Sequence, residues 1–560
     1  MSTPAVVIAA PASGSGKTTV ATGLIGALRR AGHRVAPFKV GPDYIDPGYH
    51  GLAAGRPGRN LDPVLVGAER VVPLYQYGSR DCDLAVVEGV MGLFDGRIDD
   101  NNTAPVAEGS TAQIAGMLSA PVILVVDARG HSQSLAALLH GFATFDTGIR
   151  LGGVILNRVG SERHEQVLRD ACARVGLPVL GALPRMAELV VPSRHLGLIP
   201  AVEHGSAAQA AVDAMTDLVA AHIDLAAVVA LAASDVRGPI WDPVDELRAA
   251  TAADRIEAPS QREPAASGPA APAASGGGTR ADNGDSVPLG STFPAGFAST
   301  AAEFTETGRV LSVADGAAFA ESGPVMAGAG GPEFTETGRV LSVADGAAFA
   351  ESGPVIAVAG GPAFTFGYAE HRELLEAAGA RVVIFDPLRE ELPVGTAGLV
   401  LPGGFPEEHA AELSANATLR TAVAEQARRG MPIHAECAGL LYLTRSLDGH
   451  LMAGVIDADA EFGPRLTLGY RDAVALTDSP LWSAGERVRG HEFHRTRLTA
   501  IGADPLAWGW RSPSGETVRE GALVHRVHAS YLHTHPAGNP AAIARFVAAA
   551  AEFAESRALA

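Results

Sequence analysis

The chain has 560 residues, 47% of them hydrophobic and 19% charged, and its 62 acidic against 43 basic side chains give a formal charge of −19. That length suits about three or four domains of roughly 150 residues, and the apolar fraction excludes a wholly disordered chain. So large an acidic excess argues against a general nucleic-acid or anionic-membrane surface and favours small-molecule chemistry, with any phosphate site local.

Three widely spaced cysteines, Cys82, Cys172 and Cys437, form neither a disulfide framework nor a structural zinc pattern, as expected of a reducing compartment. No run approaches the roughly 18 apolar residues of a membrane span, and no basic and apolar leader opens the chain. A cytoplasmic protein with neither membrane nor nucleic-acid partners is expected.

From residue 1 to about 235, short apolar runs (Ala5 to Ala10, Ala85 to Val87, Val122 to Val126, Val154 to Leu156) alternate with helix-like stretches. Continuous apolar strands between helices predict a parallel sheet covered on both faces, with ligands beyond its carboxyl ends. The first strand runs into Ala12-Ser13-Gly14-Ser15-Gly16-Lys17-Thr18-Thr19 and then a helix from Val20 to Ala31. Such a turn offers N–H groups from Gly14, Gly16 and Thr19 and the positive helix end to phosphate. Lys17 adds a charge for the β/γ-phosphates and Thr18 a magnesium ligand. Pro11 stands where the first Gly of G-x-x-x-x-G-K-S/T belongs, so this is a variant P-loop.

Two acidic stretches face the loop in this reading. Asp43 and Asp46 follow the short strand Val35 to Phe38, and Glu88 ends another strand, with Asp95 after Gly92-Leu93-Phe94. Carboxylates at strand ends beside a phosphate loop suit magnesium, although each alone also suits a Gly/Asp turn. Asn157 at the end of Ile155-Leu156 either pairs with an adenine edge or closes a turn.

Residues 236 to 302 shift to Ala, Pro, Gly and Ser and predict a flexible linker. Glu303 to Pro332 then recurs at Glu333 to Pro362, differing only at Met326/Ile356 and Gly328/Val358, as a recent tandem duplication would. The expected division is 1–235, a linker plus first copy over 236–332, a linker-like second copy over 333–352, and a second α/β domain over 353–556. Its predicted strands are Val355 to Ala359, Arg381 to Phe385, Gly398 to Leu401 and Pro432 to Ala435.

In that domain Gly403 and Gly404 close a strand with N–H groups suited to an oxyanion hole, or with a simple turn. Cys437 follows Pro432 to Glu436 at a sharp turn before a helix, where the dipole favours a thiolate nucleophile. Among His491, His494, His525, His528, His533 and His535, His533 is the expected base, since it closes Tyr531-Leu532 at a strand end. Reading these histidines as a metal cluster is disfavoured, because Gly490-His491-Glu492-Phe493-His494 lacks H-E-x-x-H spacing. A Cys–His site that frees ammonia from glutamine, joined to a site that phosphorylates a carboxylate, makes a glutamine-dependent amidoligase.

The phosphate loop, Lys39-Val40-Gly41-Pro42-Asp43-Tyr44-Ile45-Asp46-Pro47, Glu88 to Asp95, Gly490 to His494 and Tyr531-Leu532-His533 together resemble the cobyrinate and hydrogenobyrinate a,c-diamide synthases of cobalamin biosynthesis. The resemblance covers about 1–235 and 353–556. It implies a dethiobiotin-synthetase-like P-loop domain followed by a class I glutaminase, and ATP-dependent amidation of the c and then the a acetate of a corrinoid. It also implies Cys437 as nucleophile and His533 as its activator. Asp43, Tyr44, Asp46, Glu88 and Asp95 fall in the synthetase centre, with Tyr44 toward substrate and Thr18, Asp46 and Glu88 around Mg2+. His535 stands where a third acid would, so a Cys–His dyad is expected; a homodimer is left open. Rival readings are cobyric acid synthase, a sirohydrochlorin diamide synthase and, more distantly, a non-catalytic MinD/ParA-like ATPase switch, which is disfavoured because those switches carry a signature Lys where Ala12 stands.

Overall fold

The computed structural model describes residues 2–98, 105–185, 193–194, 197–198, 200–257, 353–502 and 507–559. The first copy of the duplication and most of the second lie outside the described residues, as does the expected linker from residue 258 onward.

The N-terminal half is a seven-stranded parallel sheet. Its strands are β1 (Ala5–Ala9), β2 (Val35–Val40), β3 (Arg59–Leu61), β4 (Leu84–Glu88), β5 (Val122–Asp127), β6 (Leu151–Val159) and β7 (Val179–Pro184). The spatial order is β3-β2-β4-β1-β5-β6-β7, so the chain changes direction across the sheet at β1, where a ligand crevice forms. Every residue of β1, β2 and β4 is buried, which is why these strands read as unbroken apolar runs. Register sets Lys39 and Ile8 on either side of Glu88, so two charged groups meet inside an apolar sheet.

The C-terminal half holds a six-stranded sheet in which Val355–Ala359, Arg381–Phe385, Thr396–Leu401, Ile433–Glu436 and Val527–Ser530 run parallel, with Ala522–Val524 antiparallel at one edge. Beside it lies a mostly antiparallel sheet built on the long hairpin Asp459–Ala475 and Arg487–Thr499. The sequence reading did not foresee that second sheet. Its strands are half-exposed and interrupted by Gly and Pro, so their apolar pattern is weak. His533–Thr534 belongs to it, pairing His533 with His491, and is not the end of the Val527–Ser530 strand.

Residues 236–257, expected as linker, also differ. Trp241 is buried against Tyr77, and Pro243–Glu257 is a helix packed on helices Ala369–Ala377 and Pro540–Leu559. Asp242 caps it through the N–H groups of Val244 and Asp245, a start signal that the surrounding Ala and Pro obscure. The two halves are also tied by Arg59 to Glu370 (2.6 Å) and Glu373 (2.5 Å), and by the Tyr470 hydroxyl donating to Asp62 (3.0 Å). No described helix is long and apolar enough to cross a membrane.

Behind the Ile433–Glu436 strand, Glu520 accepts hydrogen bonds from Ser530 Oγ and the Tyr531 N–H, both at 2.7 Å. Burial pushes its carboxyl up to about 7. Because the folded value lies above the unfolded one, this group's contribution is complete below about pH 4.5 and is lost as pH rises through about 7. Calorimetric melting temperatures should therefore fall over that window, and Glu520→Gln should flatten the fall; an unchanged slope would exclude Glu520 as its source.

Candidate active site

At the carboxyl end of β1, Gly14 (φ 76°) and Gly16 (φ 97°) take left-handed conformations, and the helix Lys17–Arg30 starts directly after them. Lys17 is buried, and its ammonium donates to the Met91 carbonyl at 2.6 Å. Burial and the neighbouring Lys39 lower its pKa. Asp95 shapes that neighbouring turn by accepting from the Gly92 N–H at 2.9 Å. Thr19 occupies the first turn of the helix.

Asn157 is held beneath the loop. Its amide donates to the Ser15 carbonyl at 2.8 Å, and a Cβ on Gly16 would lie 2.2 Å from its Nδ2. That bond uses one of the amide's two N–H groups, and the sequence reading left both an adenine contact and a closed turn open for this residue. Arg158 joins it by donating to the Gly14 carbonyl (2.9 Å) and to Asp127 (2.6 Å), two residues the sequence reading missed.

Thr18, Asp46 and Glu88 converge. The Thr18 hydroxyl lies 2.7 Å from Glu88 Oε1 and 3.2 Å from Asp46 Oδ2. Lys39, whose role the sequence reading left blank, sends a buried ammonium to Asp46 (2.6 Å), Glu88 (3.0 Å) and Asp43 (3.8 Å). His50, also missed, approaches the other oxygen of Glu88 at 2.7 Å. Burial and Asp43 push Asp46 up to about 7. Burial acts on Glu88 too, but Lys39 and His50 overcome it and hold that carboxyl well below the usual range. Asp43 braces the loop by accepting from the Ile45 and Asp46 N–H groups.

This donor set fits magnesium. It consists of hard oxygens already drawn around one cation, the Lys39 ammonium. No described group of three or more His, Cys, Asp or Glu is arranged to hold a metal, so phosphate oxygens would complete the shell, as magnesium commonly requires.

Tyr44, expected toward substrate, lies where the two halves meet. It is half-buried, stacks on Phe366 (4.9 Å between centroids), packs against the imidazole of His533 (5.0 Å), and its hydroxyl meets that of Tyr368 at 3.0 Å. The phosphate-side loop thus reaches the histidine of the other half.

Cys437 adopts φ 48°, a strained elbow between the strand Ile433–Glu436 and the helix Ala438–Leu443. Its N–H donates to the Ser530 carbonyl (2.7 Å), its thiol to the Phe493 carbonyl (3.9 Å), and the N–H groups of Ala438 and Gly404 bond toward its sulfur. Burial nevertheless pushes the thiol up, reinforced by Glu407. In the ligand-free site desolvation thus opposes the thiolate that the helix end and the Ala438 and Gly404 N–H groups favour. Gly403, the other glycine expected to serve an oxyanion hole, lies against His533. Its carbonyl accepts from Phe366, and a Cβ there would lie 2.3 Å from His533 Cε1.

His533 is fully buried beside Glu436, whose Oε2 lies 3.7 Å from Nδ1. The other histidines serve elsewhere. His494 stacks on Tyr531, His525 sits in a left-handed turn, and burial lowers His535 to about 4 and His491 and His528 to about 3, so these three are neutral at pH 7.

Two substitutions test this geometry. Lys39→Met leaves buried carboxylates without their cation and should cost about 3–5 kcal/mol in denaturant unfolding of the ligand-free protein; a loss below about 1 kcal/mol would show the lysine to be dispensable. Gly403→Ala should displace His533 and lower glutamine hydrolysis about 10²-fold. Wild-type hydrolysis by that variant would show that the ring tolerates the methyl.

Comparisons with known proteins agree with this two-part construction. Residues 6–199 match the CobQ/CobB/MinD/ParA nucleotide binding domain, and residues 355–541 match the CobB/CobQ-like glutamine amidotransferase domain. A hydrogenobyrinate a,c-diamide synthase of Mycobacterium tuberculosis is 52% identical over 98% of this chain and 99% of its own length. Its counterpart in Streptomyces coelicolor is 50% identical over 97% of each chain. A cobyrinate a,c-diamide synthase of a Synechococcus strain is 35% identical over 97% of this chain and 98% of its own. With a nucleotide-binding loop and a cysteine elbow packed together in one unit, and relatives matched nearly end to end, the chain belongs to the hydrogenobyrinate/cobyrinate a,c-diamide synthase family.

Proposed function

We propose that this chain amidates the a and c acetate carboxylates of a corrinoid, using glutamine as nitrogen donor and ATP as activator. The observation that carries the reading is the packing of Tyr44, from the loop beside Asp43 and Asp46, directly on His533 of the cysteine site. The higher identity to hydrogenobyrinate enzymes than to cobyrinate enzymes favours the cobalt-free macrocycle.

The chemistry divides between the halves. A corrinoid carboxylate attacks the γ-phosphorus of ATP, giving an acyl phosphate and ADP; the loop N–H groups and Lys17 hold the phosphates. Magnesium at Thr18, Asp46 and Glu88 would neutralise charge on the β/γ-phosphates. Lys39 keeps Glu88 ionised and ready as a ligand. In the other half, His533 takes the Cys437 proton, the thiolate attacks glutamine, and the N–H groups of Gly404 and Ala438 serve the tetrahedral oxyanion. The ammonia released then attacks the acyl phosphate and inorganic phosphate leaves, forming the amide. The half-buried Cys82 and the buried Cys172 play no part, and free thiols suit a reducing cytoplasm.

Mass spectrometry of hydrogenobyrinate and cobyrinate incubated with enzyme, glutamine, ATP and magnesium tests this. Two added amides are expected on the cobalt-free substrate, and no amide on either would sink the proposal. Cys437→Ser should reduce the glutamine-supported reaction by about 10³-fold or more while sparing the reaction supplied with ammonium salt.

A further inference from the structure

A Cys–His pair works best when a third group fixes the imidazole and balances the charge it gains. The position two residues beyond His533 holds no acid. His535 there accepts from the Ala537 N–H through Nδ1 (3.2 Å) and lies against the ring of Tyr368 (4.0 Å), so it is engaged elsewhere. Neither ring nitrogen of His533 has a hydrogen bond among the described residues, although the ring is fully buried.

The acid that faces it is Glu436, the residue immediately before the nucleophile. Its Oε2 lies 3.7 Å from His533 Nδ1. Its Oε1 accepts from the Thr534 N–H (3.0 Å) and hydroxyl (2.9 Å), so the carboxylate is anchored by the residue adjoining the histidine. His434 approaches the same oxygen at 3.4 Å. Burial disfavours its charge, but the imidazoles of His434 and His533 outweigh that and hold the carboxyl well below the usual range. In an extended strand, consecutive side chains point to opposite faces. The positive φ of Cys437 breaks that alternation and brings neighbouring residues to one crevice.

We propose that Glu436 replaces the missing triad acid, orienting His533 through Nδ1 and stabilising the imidazolium that forms during catalysis. The inference rests on the glutaminase reading above. Cys437 gives its proton to Nε2 of His533, and the thiolate adds to the side-chain carbonyl carbon of glutamine. The imidazolium returns that proton to the nitrogen as the C–N bond breaks and ammonia leaves. Water then cleaves the thioester to glutamate and restores the thiol. Through these steps Glu436 stays ionised, touching no reacting atom, and acts as a positioning residue. The 3.7 Å separation shortens to a hydrogen bond when the imidazole becomes charged, as catalytic contacts in ligand-free sites commonly do.

Glu436→Gln keeps the shape and an acceptor for Thr534 but removes the charge. Glutaminase kcat should fall about 10²- to 10⁴-fold with KM for glutamine within about threefold, while ammonium-supported amidation stays at the wild-type rate. Glu436→Asp should recover part of kcat. Wild-type kcat in Glu436→Gln would overturn the proposal, and so would equal losses of the glutamine- and ammonium-supported reactions, which would mark a structural role. Wild-type enzyme and Cys437→Ser serve as references: failure of the wild type to release ammonia from glutamine defeats the glutaminase reading itself. An active wild type with an equally active Glu436→Gln defeats only the assignment of Glu436.

Discussion

Ammonia is a useful nucleophile only while unprotonated, so the centre that releases it and the centre that consumes it must be joined by a path shielded from bulk water. In this chain the adjoining surface is aromatic: Tyr44 lies between Phe366 and His533. The Tyr44 loop also carries Asp43 and Asp46, and a movement of those carboxylates on nucleotide binding would be felt at the imidazole. The ion pairs of Arg59 with Glu370 and Glu373 and the Tyr470–Asp62 bond hold the halves in place around that contact.

The phosphate side is organised around a buried positive charge. Three carboxylates this near one another would repel, and Lys39 prevents this by lying among them. Its effect is uneven, leaving Glu88 firmly ionised and Asp46 near 7.

At the cysteine elbow the balance differs. Burial resists the thiolate, and N–H groups from Ala438 and Gly404 offset it only in part. A thiol so placed needs a base to ionise. That requirement explains why the environment of His533, with Gly403 close against one edge and Glu436 at another, is so tightly specified.

Much of this was legible in the sequence, because the phosphate loop, the acidic strand ends and Cys437 are local features whose chemistry follows from a few adjacent residues. The parallel strands were legible too, since burial on both faces leaves no polar interruptions. What adjacency could not decide was which distant groups meet. Lys39 reaches Glu88 through strand register, Asn157 turns under the phosphate loop, and the half-exposed hairpin that pairs His491 with His533 has no strong apolar period. The helix Pro243–Glu257 was hidden in an Ala- and Pro-rich composition and is held by packing against helices far along the chain. The sequence alone determined which reactive groups are present and which turns present them. Only the tertiary structure decided their partners, because desolvation and charge pairing depend on neighbours brought together across hundreds of residues.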